Sequence, residues 1–261
     1  MNLKKFLIES FYNRKARFSK VQFETLLKTI KGDKFVVLPL CSFMNFHAND
    51  KVIIGLRHDI DVNPWQALRM AAIEHKYEIQ STFCFLATAW YSGRITKKGL
   101  KRDNLDWIYK AVHELSHEIA SHNDSLTLLI KHKIFPRFFY FKESRYFEGL
   151  GIKIYGSASH GSPLARELGI SNYEIFSDFV KSKIITYKKH IYKIGEASLR
   201  EFGYHYEAYH LDHNIYISDA GGTFRIDGKI ASFEDVICKI ATAEKGSRIQ
   251  LLLHPCWYKL K

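Results

Sequence analysis

Charge stands in this sequence where an apolar strand would end. In "VIIGLRHDIDVNP", residues 52–64, the apolar run stops at Arg57, His58, Asp59 and Asp61. The placement recurs further on. "EIASH" ends in His122 and is followed by Asp124, and "KIYGSAS" leads to His160 and Gly161. "NIYIS" leads to Asp219 and "IQLLL" to His254. Burying that many unpaired polar groups is costly, so they should bind one another, water or a metal. Asp and His side chains from separate strands can hold Zn2+ or a similar divalent ion with one position left open, the layout of a hydrolytic site. A remaining carboxylate could then take a proton and a remaining histidine could give one.

Such convergence needs parallel strands with helices between them. "VIIGLRH", "IQSTFCFLA", "EIASH", "IKIYGS", "NIYISD" and "RIQLLLHP" read as strands. Alternation along the first should set Ile60 into the wall and leave Asp59 and Asp61 on a common face. Asn63 and Pro64 fit the start of a helix whose Trp65, Leu68, Ala72 and Ile73 would share a face. Residues 103–116 carry an apolar stripe of Leu105, Ile108, Tyr109, Val112 and Leu115, and residues 137–149 also read as helix. Ser232 with Asp235 makes a capping-box start to a helix through Ala243. Near the N-terminus, Val21, Phe23, Leu26, Leu27 and Ile30 have helical spacing, and "KFVVLPL" reads as a short strand. The stretch from Leu164 to Tyr209 shows no clear period. Strand and helix alternating about six times is an α/β pattern, and the absence of GxGxxG after the first strand argues against a dinucleotide-binding fold. A (β/α) barrel, with its site at the C-terminal strand ends, fits better.

A length of 261 residues suits one large domain or two small ones. The formal charge of +12 points to an anionic substrate, an acidic surface or nucleic acid. Nucleic acid is disfavoured because the lysines are spread along the chain and no recognition motif is present. Cys41, Cys84, Cys238 and Cys256 form no CxxC pair, which suits buried thiols in a reducing compartment. The opening "MNLKKFLIESFYNRKARFSK" is too short and charged for a signal or a span, so a cytoplasmic protein is expected, with peripheral membrane contact through this segment as a secondary option.

Taken together and in order, the five polar strand ends resemble the motifs of a known family. It is the polysaccharide deacetylases of the NodB-homology type, carbohydrate esterase family four, in the bacterial branch whose first motif reads RHD-x-D. The resemblance covers about residues 52–258. It implies a distorted (β/α)7 barrel over residues 49–261, with residues 1–48 as a helical extension packed on it. It also implies metal-assisted removal of an acetyl or formyl group from an amino sugar. "LRHDID" matches the first motif, giving Asp59 as general base and Asp61 as metal carboxylate. "HEIASHNDS" matches the second, giving His122 as a ligand, but the family's next histidine is Leu126 here. "GSASHGSP" stands in the place of the third motif without its arginine, and His160 would replace the missing ligand. "ISDAGG" places Asp219 at the site, lining it or orienting a partner, and "LLLHP" gives His254 as general acid. The resemblance implies a divalent metal, most simply Zn2+. With no export signal read, the substrate would be a nucleotide- or lipid-linked amino sugar used in making surface polysaccharide. Two alternatives stand beside it: a catalytically inactive sugar-binding member, and hydrolysis of a cyclic amide.

Other residues compete for these roles. "GYHYEAYHLDH" packs His205, His210 and His213 with Glu207 and Asp212, and its aromatic interleaving reads as core or substrate lining, with His205 the reserve ligand. Arg57 is expected to point away from the site and pair structurally. Trp65 flanks the site, and Trp257 and Tyr258 could form a wall on which a sugar stacks.

Overall fold

Nine consecutive residues, Val52–Ile60, form a strand buried along its whole length in the computed structural model, which describes residues 15–96, 99–102 and 105–260. The run is buried on both faces, which suits a parallel ladder covered by helices. The architecture is mixed α/β with mostly parallel strands. By contacts the chain divides into two compact units. One takes the described residues up to Phe83, then Ala111–Glu118, and everything from Asp212 onward; the other takes Cys84–Lys110 and Ile119–Leu211.

In the first unit, Val52–Ile60 is flanked by parallel partners, Phe35–Leu38 on one edge and Arg248–Leu253 on the other. Ile215–Ser218 extends the ladder in parallel, and short antiparallel strands at Arg225–Ile226 and Lys229–Ile230 finish it. The register decides where chemistry falls. Leu253 lies opposite His58 and Ser218 opposite Leu252, so the residues that follow, Asp59, His254 and Asp219, all emerge at one end of the ladder. Gly55 sits on this strand because a Cβ there would come within 2.8 Å of the Phe43 ring.

The helix Lys20–Ile30 starts at a Ser19–Gln22 capping box and buries Phe23, Leu26, Leu27 and Ile30. Val21, expected on that face, is exposed. Residues 1–14, which carry the N-terminal apolar patch, lie outside the described residues.

The helix Pro64–Lys76 starts as read, with the Asn63 side chain accepting from the Gln66 N–H. Its buried face is the expected one only at Ile73. Gln66, Ala67, Met70, Ala71 and Glu74 are covered, while Trp65, Leu68 and Ala72 are half-exposed. Two polar residues turn the helix this way because each finds a buried partner. Gln66 Nε2 donates to the Tyr258 carbonyl at 2.5 Å, and Glu74 Oε1 lies 2.7 Å from His58 Nε2. The Ser232–Asp235 capping box is present, opening the helix Phe233–Thr242.

In the second unit, Glu118–Asn123, Gly156–Ser159 and Tyr206–Glu207 form a parallel ladder. His122 pairs with Ala158 and Asn123 with Ser159, so His160 leaves the ladder beside the end of the neighbouring strand. Close approach is built in at Gly156, where a Cβ would come within 2.4 Å of the Tyr206 ring. The "IKIYGS" strand is shorter than read and begins only at Gly156. The stretch without a clear period resolves into a helix at Pro163–Leu168, 3-10 turns capped by Ser171 and Ser198, and a hairpin of Lys183–Tyr187 with His190–Ile194. Each turn is set by a local Ser-x-x-Glu box rather than by hydrophobic repetition, so periodicity could not show it.

Candidate metal centre

His122 is buried, and its ring Nδ1 lies 2.8 Å from the Ala158 carbonyl of the adjacent strand. A carbonyl can only accept, so Nδ1 carries a proton and Nε2 turns outward. His160 Nδ1 lies 3.1 Å from that Nε2. Two nitrogens on one tetrahedral zinc ion, each about 2.05 Å from it, would stand roughly 3.3 Å apart, so the pair is spaced as ligands are.

His160 is held from behind by its main chain. Its N–H donates to the Asn123 carbonyl at 2.8 Å, and its own carbonyl accepts from Asn172 Nδ2 at 2.7 Å. Asn172 is fully buried and also accepts from the Leu126 N–H at 2.8 Å through its Oδ1. Glu207, buried on the next strand, accepts from the Ser159 N–H at 2.7 Å. Neither Asn172 nor Glu207 was identified as part of the site from the sequence. Asn172 lies inside the Ser171–Glu174 capping box, which is its one visible signal.

Asp61 belongs to the same group. Asp61, His122 and His160 each offer one ligand atom, and these atoms all lie within 4.8 Å of one another. An aspartate with two imidazoles is a donor set that suits a divalent transition metal. Leu126, where the resemblance would place a second histidine, is fully buried in the short helix Ser125–Ile130 and is a core residue.

Asp219 and His254 form a dyad. His254 Nδ1 lies 2.6 Å from Asp219 Oδ1, and the His254 N–H donates to both carboxylate oxygens at 3.0 Å. The burial of His254 on its own would push its pKa down. The Asp219 charge and hydrogen bond, with help from Asp61 and Asp59, reverse this and lift it from 6.5 to about 9. The imidazole is therefore cationic at neutral pH. Asp61 and Asp59 both add to this upward pull.

Arg57 does not point away. It is fully buried, with Nε 3.6 Å from Asp59 Oδ1 and Nη2 donating to the Tyr216 hydroxyl at 3.3 Å. Strand alternation puts residues 57 and 59 on one face, so the guanidinium lies beside the carboxylate read as general base. Tyr258 is not a sugar wall either. It is buried, its ring packed against Phe18 and Phe23 with centroids 5.2 and 5.5 Å away. Trp257 remains half-exposed, beside Gly222.

The histidines of "GYHYEAYHLDH" do not converge. His205 is exposed near Tyr155, His210 stacks on Phe179 at 3.7 Å, and His213 packs near Tyr216. Asp212 pairs with Arg248 at 3.3 Å. Next to His160 lies a cavity of about 580 Å³, with Arg166, Asn172, Tyr173, Tyr209 and His210 in its lining. Its size suits a sugar-sized ligand. The chain matches no family model, and no curated protein or solved structure matches it.

Proposed function

We propose that this protein is a metal-dependent N-deacylase of amino sugars, of the polysaccharide-deacetylase type. The observation that carries the reading is the Asp61, His122 and His160 group, whose ligand atoms lie within 4.8 Å of one another. The parallel ladders, with helices joining their strands, support the distorted (β/α)7 barrel that goes with this family.

Asp61, His122 and His160 would hold the ion, and Zn2+ fits their nitrogen and oxygen donors. Such an ion, when bound, polarises an acyl carbonyl and makes water acidic enough to attack near neutral pH. Asp59 takes the proton from the attacking water. Arg57, with Nε 3.6 Å from Asp59 Oδ1, sets a fixed positive charge beside that carboxylate. His254, held protonated by Asp219, gives its Nε2 proton to the departing nitrogen as the C–N bond breaks. The products are a carboxylate, acetate or formate, and a free amino sugar. The cavity beside His160 receives the sugar, and Arg166 at its edge favours a substrate bearing phosphate, as a nucleotide- or lipid-linked sugar does.

The test is metal content followed by turnover. Purified protein is expected to carry one divalent ion per chain, lost on Asp61→Asn or His122→Gln. Chelation should abolish release of acetate or formate from N-acyl amino sugars, and zinc should restore it. A chain that takes up no divalent ion with these side chains intact refutes the reading. Leu126 in the core favours one second reading, a sugar-binding member without turnover. Saccharide binding that is indifferent to chelator, with no product, would establish that one instead.

A further inference from the structure

The helix Pro136–Gly149 buries Phe139, Tyr140, Glu143 and Phe147. On its outer side it leaves large aromatic residues in solvent. Phe138 is 55% and Phe141 49% exposed, and Phe135, just before the helix, is 77% exposed. Contiguous exposed aromatic surface of this kind marks a binding face. Its surroundings are basic. Lys142 Nζ sits 4.2 Å from the centre of the Phe138 ring, and the Arg145 guanidinium 4.6 Å from that of Phe141. Lys131, Lys142 and Arg145 make no ion pair among the described residues.

A second projection stands next to this one. The hairpin Lys183–Tyr187 and His190–Ile194 exposes Ile184 at 68% and Ile191 at 72%. Its tip is Lys188–Lys189, both at positive φ, 45° and 64°. Such two-residue turns favour Asn-Gly, yet here they carry two cations. Lys133, two residues before Phe135, bonds to the Tyr192 hydroxyl and lies 4.6 Å from its ring centre, fastening the hairpin beside the start of the helix. Apolar side chains that can enter an acyl layer, ringed by cations that can meet headgroups, form the pattern of an interfacial membrane contact. No helix among the described residues is long and apolar enough to cross a membrane.

We infer that Phe135, Phe138 and Phe141, with the Lys188–Lys189 hairpin, dock this protein onto an anionic lipid surface. The inference does not depend on the metal centre. Nucleic acid would pair with the cations but gives no reason for aliphatic Ile184 and Ile191 to face outward. A protein partner would need acidic, apolar complementarity, and nothing in the structure specifies one.

The experiment is co-sedimentation of the full chain with vesicles, either of phosphatidylcholine alone or with about one third phosphatidylglycerol. Binding to the anionic vesicles only is expected, weakened at least tenfold by about 0.5 M salt. Phe138→Ser with Phe141→Ser should weaken it by about tenfold or more, since both rings would leave the acyl layer. Lys188→Glu with Lys189→Glu should weaken it by a similar factor through lost attraction. Both double variants change exposed side chains only, and their melting temperatures serve as the folding control. The inference is overturned if anionic vesicles are not bound, or if both double variants bind as the parent does. It is equally overturned if the phenylalanine variants impair RNA or DNA binding while leaving vesicle binding unchanged.

Discussion

Asp219→Asn tests the dyad most directly. The carboxylate lies 2.6 Å from His254 Nδ1, a charge-assisted contact inside the protein. His254 is lifted from 6.5 to about 9 against the opposing effect of its own burial, with Asp219 the strongest upward influence. That lift corresponds to about 3 kcal/mol of preference for the protonated ring. Asparagine keeps the shape and removes the charge, leaving the weaker pull of Asp61 and Asp59 to oppose burial. The midpoint should drop by about two pH units or more. The assay is NMR titration of the His254 ring in chelator-treated protein, because a cation on Asp61 would cancel part of its pull. Turnover gives the second readout. At pH 8 a ring titrating near 9 is about nine-tenths protonated, and one titrating near 7 about one-tenth, so the rate should fall about tenfold there and little below pH 6. Stability follows the same sign. A raised folded-state pKa gives stabilisation that is full below 6.5 and lost as pH rises through about 9, and the variant should lack that alkaline loss. A His254 midpoint within about half a pH unit of the parent's would refute the argument.

Three further outcomes are expected. Glu74 is fully buried; burial would raise its pKa, but His58, His117 and Ser81 hold it below the usual carboxylate range, while burial keeps His117 below 6.5. Both groups bind fewer protons folded than unfolded, so stability should decline as pH falls from about 6.5 through 4.5. Glu74→Gln should flatten that decline in pH-dependent denaturant melts, at a cost of about 3 kcal/mol near neutrality. Gly156→Ala drives a methyl into the Tyr206 ring and should lose about 2 kcal/mol or more, with Tyr206→Leu recovering part of it in the double variant. Asn172→Ala releases the main chain behind His160 and should weaken zinc affinity about tenfold in chelator competition, whereas exposed His205→Ala should leave it unchanged.

The residues that announced the site in the sequence were those at strand ends, where burial makes a charge conspicuous. Asp61, His122 and His160, and Asp219 with His254, were legible for that reason. So were local signals such as Asn63 before Pro64 and Ser232 before Asp235. Arg57 was misplaced because a strand-borne arginine is normally turned outward to solvent. Asp59 beside it and the Tyr216 hydroxyl make its burial tolerable, and pairing of that kind is not encoded in hydropathy. Gln66 and Glu74 misled for the same reason: each is polar, each is buried, and each is accounted for by a partner from another element, Tyr258 or His58. Asn172 lay in a stretch whose turns are fixed by capping contacts, where no hydrophobic repeat could point to it.

The Ala158 carbonyl that fixes the His122 ring belongs to the main chain. Its influence is therefore indifferent to which side chain occupies position 158. Any drift that preserves the pairing of Glu118–Asn123 with Gly156–Ser159 preserves the ring's protonation form, however far the surrounding letters change. A search for shared residues would pass over this contact, while a comparison of strand alignment would find it at once.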